Sequence, residues 1–322
     1  MDQNNSMSIS STRSLDVGAA LFAVVGTNRS VLNAASWLKK VGASLIGCMS
    51  PEEARGLNPA PLAILVSGDT HPQKSASTEK GPTEIYLWDF EVGRPGVGAF
   101  ACSVSGVSSV IGKVDAAPGL LPAHVPEKWA GTFGANLALS LLFSQTMGTG
   151  QLPRRIDVSA ADILRAFAEQ NSGNHAGVPY GWRRNGRTAV EHGGVFPQGF
   201  FPCKDGFVAV QARSKQDWRA IMMAFGNPQW ADDPEFQDPF KLSEDDSRIL
   251  PIFGKELLKR NRRELLDIAI KTGAPMAPVL SPEEAVSWQN FRPGYLDATG
   301  KPDVPYTVSR YSIVTKKMEQ TL

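Results

Sequence analysis

The chain has 322 residues, 42% of them apolar, with 33 basic and 32 acidic residues and a net charge of +1. That length suits about two domains of ~100–200 residues each. So balanced a charge gives no large field of one sign, and nucleic acid is not expected as a partner. Three scattered cysteines (Cys48, Cys102, Cys203) and four histidines without HxH or HExxH spacing offer neither a disulfide framework nor a metal site. No apolar run reaches the ~18–20 residues that a membrane span needs. The opening stretch MDQNNSMSISSTRS is polar and lacks a charged-then-apolar leader pattern, so residues 1–14 read as a disordered tail and the expected location is cytoplasmic.

ALFAVVG (20–26) is a short apolar run stopped by glycine, the pattern of a strand buried on both faces. TNRS then supplies the capping residues Asn28 and Ser30, and Val31, Leu32, Ala35, Leu38 and Val41 follow at helical spacing as far as Gly42. ASLIGCM (43–49) is a second strand, which makes a βαβ unit and hence a parallel sheet with a right-handed crossover. LAILVSG (62–68) and TEIYLWDF (83–90) are third and fourth strands, with a polar loop between them. A long helix opens near Pro126 and runs through Phe143. It is apolar almost all round, so it is expected to be buried, and Gly131, Gly134, Ala135 and Ala138 would let another helix come close. RRIDVSAADILRAFAEQ gives a strand about 156–158 and then a helix.

From 171 to 198 glycines and prolines replace periodicity, as in a linker or ligand loop. GFFPCKDGFVAVQA reads as a hairpin turning at Lys204-Asp205-Gly206. A helix follows with Ser214 as its cap and Gly226 as its stop. Two more helices are broken near 259–262, and a strand then runs into a helix that starts at Ser281-Pro282-Glu283-Glu284. The basic clusters Arg154-Arg155, Arg183-Arg184 and 259–263 read as solvated faces or as contacts to an anionic ligand.

FFPCKDGFVAVQARSKQDWRAIMMAFGNPQWADDPEF and ELLDIAIKTGAPMAPVLSPEEAV together resemble the small domain of the class III CoA-transferase superfamily, which holds formyl-CoA transferase, carnitine CoA-transferase and α-methylacyl-CoA racemase. MGTGQLPRRIDVSAADIL resembles that superfamily's G-x-G-Q…V-D-V-S segment, and FACSVSGVSSVIG its A-x-S-G segment. WLKKVGASLIG resembles its first helix and second strand. The resemblance implies an α/β fold: a doubly wound, mostly parallel, Rossmann-like sheet in a large domain (15–170), a Gly-rich linker (171–198) and a smaller α+β domain (199–290). The C-terminal segment (291–322) would return to the large domain, and two chains would be threaded as an interlocked dimer. It further implies an acyl-CoA and a carboxylic acid as substrates, the coenzyme A thioester being substrate rather than a resident cofactor. A homo-oligomer, or a heteromer with a related subunit, is implied as well.

The superfamily's nucleophile is an Asp in the form D-x-x-x-G ahead of a buried small-residue helix, and here Glu127-Lys128-Trp129-Ala130-Gly131 stands in that window. The resemblance therefore nominates Glu127 as the carboxylate that attacks the thioester. Pro126-Glu127 is equally a good helix start, because Pro suits the first helical position and Glu the positive end of the dipole. Gly193 and Gly194 in EHGGVFPQG match the superfamily's glycine loop. They read either as backbone N–H donors to an oxyanion or as a hinge. Val97 stands where the racemase branch carries a catalytic His, so racemization is not expected. The basic N-R-x-x-K stretch that helps hold CoA phosphates has no counterpart, since SPEEARGLNPAP (50–61) fills its place. Two functions follow: a CoA-transferase acting through Glu127, alone or as one subunit of a heteromer, or a non-catalytic partner of an Asp-bearing transferase.

Overall fold

The computed structural model describes residues 17–71, 81–113, 115–148, 152–170, 184, 195–287 and 296. Gly193 and Gly194, the N-terminal tail, most of the 171–198 link and most of the C-terminal segment lie outside the described residues. In chain order the elements begin β1 (Leu21–Val25), α1 (Arg29–Lys40), β2 (Ser44–Cys48), α2 (Pro51–Arg55), β3 (Ala63–Ser67) and β4 (Thr83–Trp88). Next come α3 (Gly98–Val104), α4 (Val125–Met147), β5 (Arg155–Ser159), α5 (Ala160–Gln170), β6 (Gln198–Cys203) and β7 (Gly206–Gln211). The last are α6 (Lys215–Ala224), α7 (Pro239–Glu244), α8 (Ile249–Leu258), α9 (Arg262–Thr272), β8 (Met276–Pro278) and α10 (Pro282–Ser287). Contacts divide them between two compact units: residues up to Pro95 with Glu127–Ser159, and Gly96–Pro126 with Ala160–Trp288.

In the first unit five parallel strands run in the order β2-β1-β3-β4-β5. The order reverses between β1 and β3, so the sheet is doubly wound with its switch point there. β3 and β4 are buried along their whole length, which is why they read as continuous apolar runs rather than alternating ones. α1 starts where the Asn28 side chain accepts a hydrogen bond from Val31 N, and Lys39 and Lys40 suit its negative end. α4 buries a face of small residues. A Cβ at Gly131 would lie 2.4 Å from the Ser30 carbonyl oxygen, and one at Gly134 2.6 Å from Leu87 Cδ2.

The opposite sheet face carries Ala23, Val25, Ile64, Val66, Tyr86 and Trp88, packed with Ala54 of α2. A polar chain crosses this face. Arg55 Nε donates to Glu84 at 2.5 Å and the Tyr86 hydroxyl donates to Glu84 at 3.0 Å. The Arg155 guanidinium stacks 4.0 Å from the Tyr86 ring centre. Asp157 takes two hydrogen bonds from Arg155 and one from the Trp88 indole. Burial, reinforced by the Glu84 charge, pushes the Tyr86 hydroxyl up to about 12. Burial also pushes the Asp157 carboxyl up, but Arg155 and Trp88 outweigh it and hold that group below its ordinary value.

The second unit packs α3 against α5 and builds a three-stranded antiparallel sheet, β6-β7-β8, beside α6, α8 and α9. Phe253 is the hub of its core, with the rings of Phe196, Phe201, Phe225 and Trp218 at centroid distances of 5.1–6.4 Å. The NPQWADDPEF stretch folds as two short 3-10 turns that bring Trp230 and Phe236 into this cluster, and Trp218 Nε1 donates to the Phe236 carbonyl at 3.0 Å. The Lys204-Asp205-Gly206 turn is fixed by α9: Arg262 N donates to Asp205, and the Arg262 guanidinium clamps Glu284 at 2.7 and 2.9 Å. The pattern reading missed α2, α3 and α7, because runs of 5–7 residues are shorter than a periodicity window.

Two predictions follow from this packing. Gly131→Ala should destabilise the protein by about 1–3 kcal/mol through overpacking against α1. Gly254→Ala, with nothing within 4 Å of the new methyl in α8, should stabilise it by about 1 kcal/mol; denaturant titration measures both. Arg262 lowers the Glu284 carboxyl from 4.5 to about 2. A depressed carboxylate contributes stability that is fully present above its unfolded value and lost as pH falls through its folded one. The melting temperature should therefore decline from about pH 4.5 toward pH 2, and Glu284→Gln should flatten that decline.

Candidate active site at the carboxyl ends of the parallel sheet

Ligands of doubly wound sheets sit outside the carboxyl ends of the strands, at the switch point. Here that edge is formed by the ends of β1, β3 and β4 and the first turns of α1 and α4. Gly26 has φ +87° and runs so close to β3 that a Cβ would sit 2.4 Å from Ser67 Cβ; only glycine fits both the conformation and the gap. Ser67 is fully buried, and its hydroxyl has no hydrogen-bond partner among the described residues.

Three polar side chains meet at this edge. Asn28 Nδ2 donates to Asp69 Oδ2 at 2.5 Å and to the Leu87 carbonyl at 2.8 Å. Asp69 Oδ2 also accepts from Asp89 N at 3.2 Å. Asp89, buried, takes three hydrogen bonds from the first turn of α1: Arg29 N at 3.0 Å, Ser30 N at 2.9 Å and Ser30 Oγ at 2.6 Å. A helix N-terminus in this position is the usual cradle for a phosphate. In this chain a carboxylate of the chain itself already fills it.

Glu127 lies in the first turn of α4 and is only 3% exposed. One turn on, Gly131 packs on the Ser30 carbonyl, and Thr132 Oγ1 donates to Asn33 Oδ1 at 3.3 Å, so α4 begins against the start of α1. Glu127 is thus carried to the switch-point side of the sheet on a turn held by α1. Gly193 and Gly194 fall outside the described residues.

Arg55 is the one basic residue of the 50–61 segment, and it is committed to Glu84 and Glu52. A cavity of about 640 Å³ opens at the opposite edge, among Leu21, Leu62, Thr83, Gln145 and Arg154. It lies at the amino ends of the strands, away from the groups that could do chemistry. The pattern reading found Asn28 as a cap but passed over Asp69 and Asp89. Their signal was an Asp set just beyond the end of a buried strand, in SGD (67–69) and WD (88–89).

The model of CoA-transferase family III matches residues 91–319. The probable CoA-transferase Rv1866 of Mycobacterium tuberculosis is 24% identical over 191 residues, which cover 59% of this chain and 24% of that protein. The succinate–glutarate CoA-transferase of Agrobacterium fabrum is 24% identical over 182 residues, 56% of this chain and 44% of the relative. The matches thus span less than half the length of either relative. Among solved structures, a CAIB/BAIF family protein from Brucella suis superposes with a TM-score of 0.69 at 13% identity, covering 92% of both chains. The hypothetical protein Rv3272 of Mycobacterium tuberculosis superposes with a TM-score of 0.66 at 12% identity, over 84% of this chain and 86% of the other. At those identities the structures speak for the fold alone. With the doubly wound sheet, the hairpin domain and the family match over residues 91–319 in agreement, the chain belongs to CoA-transferase family III.

Proposed function

We propose that this chain works in the transfer of CoA from an acyl-CoA to a carboxylic acid as a subunit whose own site is closed, a related or identical chain completing it. The observation that carries this is the Asp89 carboxylate in the N-terminal cradle of α1. A second anion there would face a fixed negative charge in place of unpaired N–H groups. Two further facts support it: Arg55 is spent on carboxylates of the chain itself, and Glu127 is only 3% exposed.

The second reading keeps Glu127 as nucleophile, favoured by its place at the positive end of a 23-residue helix, where an ionised carboxylate is stabilised. Its carboxylate would attack the thioester carbonyl, forming an anhydride and releasing CoA thiolate. The thiolate would then attack the glutamyl carbonyl, releasing the first acid and leaving a glutamyl-CoA thioester. The acceptor carboxylate would displace CoA to form a new anhydride, and attack of the thiolate on the acceptor's carbonyl would release the new acyl-CoA and free Glu127. Glu reaches about one methylene further than the Asp in the resembling motif, and ~1 Å of misplacement costs on the order of 100-fold in rate.

Calorimetry and substitution separate the two. The chain alone should bind CoA more weakly than micromolar, and co-expression with an Asp-bearing homologue should give a complex that binds tighter; micromolar affinity for the isolated chain would overturn the closed-subunit reading. Glu127→Gln should leave transfer by that complex within about twofold while stability falls by ~0.3–1 kcal/mol. Loss of transfer with the melting temperature unchanged, together with hydroxylamine trapping of an acyl group in the parent but not in the variant, would establish Glu127 as the nucleophile instead. Asp89→Ala removes the carboxylate that takes three donors from α1 and should cost about 2 kcal/mol or more by denaturant titration.

A further inference from the structure

Trp88 ends β4 and Asp89 follows it, while Gly68 and Asp69 follow the end of β3. The two pairs interlock. Gly68 N donates to the Leu87 carbonyl at 2.9 Å, and Asp89 N donates to Asp69 Oδ2 at 3.2 Å. Between these two bonds the Trp88 indole lies on Gly68, where a Cβ would stand 2.3–2.7 Å from three carbons of the ring. No side chain fits there, so the backbone at Gly68 runs directly on the face of the indole. Whatever sets the ring therefore sets the path of the chain into Asp69.

The ring is set from β5. Trp88 is fully buried, and its single donor, Nε1–H, bonds Asp157 Oδ1 at 3.0 Å. Turned over about χ2, the indole would point that N–H away from Asp157 and leave a buried donor unsatisfied. Asp157 is itself held: Arg155 Nε and Nη2 bond its two oxygens at 2.7 and 2.8 Å, and the Arg155 guanidinium rests on the Tyr86 ring. β5 lies outside the ends of β1, β3 and β4 that form the switch-point edge. The contacts nevertheless run on without a gap, from Asp157 to Trp88, from Trp88 to Gly68, and from Asp69, next in the chain, to Asn28 and to Asp89 N. Asp89 and Asn28 then hold the first turn of α1. We propose that Asp157 is a positioning residue for the switch-point edge: by fixing the Trp88 indole over Gly68 it sets where Asp69 leaves β3 and where α1 begins. It serves CoA transfer on the reading that this edge is where the acyl-CoA is met.

Hydrogen exchange in the full chain tests this whether or not the chain catalyses. Asp157→Leu removes the acceptor, whereas Asp157→Asn keeps an oxygen for the indole. In Asp157→Leu the amides of Arg29, Ser30 and Val31, bonded to Asp89 and Asn28, should exchange about tenfold faster while β1 in the same sheet keeps its protection. Asp157→Asn should stay within about twofold of the parent. Uniform acceleration through the sheet, or the same loss in both variants, overturns the role. Asp157→Ser, too short to reach the indole, carries the same test should Asp157→Leu not fold. Trp88→Phe should reproduce the faster exchange, and adding Asp157→Leu to it should contribute less than about twofold more; a full second increment means that Asp157 acts without the indole and overturns the role too. In chain labelled at the indole nitrogens, the one of seven resonances that Trp88→Phe removes should move in Asp157→Leu and hold in Asp157→Asn, and the opposite pattern sinks the proposal. Calorimetry on the complex with an Asp-bearing homologue separates this role from the reading it serves: Asp157→Leu should weaken CoA binding about fivefold and Asp157→Asn should not. Unchanged affinity beside faster exchange overturns the ligand role of the edge, whereas unchanged exchange overturns the part of Asp157 in it.

Discussion

The three hydrogen bonds that Asp89 takes from the first turn of α1 set the edge at which the parallel sheet meets its helices. They tie the end of β4 to the start of α1 across the switch point. Asp69 extends the tie by accepting from Asp89 N and from Asn28, the residue that caps α1. Because α4 begins on the Ser30 carbonyl through Gly131, the position of Glu127 is set two steps from Asp89: first by the cap, then by the helix it caps. The electrostatic consequence is local. The positive end of α1, which in such sheets meets a phosphate, here meets a carboxylate that cannot leave.

The two faces of the sheet solve burial differently. Toward α4 the glycines remove side chains, so that the helix closes on the Ser30 carbonyl at Gly131 and on the Leu87 side chain at Gly134. Toward α2, the buried Glu84 carboxylate is paired with Arg55 and Tyr86, and the partly exposed Arg155 and Asp157 pair beside it. A buried pair is costly to break from one side, because the partner left behind keeps its desolvation penalty. Arg55 is therefore not a spare cation waiting for a ligand. Through Arg55 the 50–61 segment serves the sheet's own polar packing.

Much of the fold was legible because long elements carry periodic signals. The strands over 20–26, 43–49, 62–68 and 83–90 announced themselves by apolar runs with glycine or turn stops. The hairpin at 204–206 and the helix starts at Ser214 and Ser281 announced themselves by turn and cap chemistry. The doubly wound order came from the family resemblance, since parallel pairing leaves no register mark in the sequence. The site was less legible. Asp69 and Asp89 act by converging from two strand ends on one helix, and no linear spacing encodes that convergence. Glu127 was visible as a helix-start carboxylate, but the packing of its helix on α1 through Gly131 and Ser30, residues about a hundred positions apart, was not.

α4 also shows where a sequence pattern misleads. Its composition, apolar almost all round, reads as burial on every side, yet Phe133 and Phe143 stand more than half exposed. The small residues are what divide the two sides. Gly131, Gly134, Ala135 and Ala138 are enough to fill the space against α1 and β4, and they leave the large side chains to the other side. A helix that packs inward through glycine and outward through phenylalanine has placed its hydrophobic area where its own unit makes least use of it.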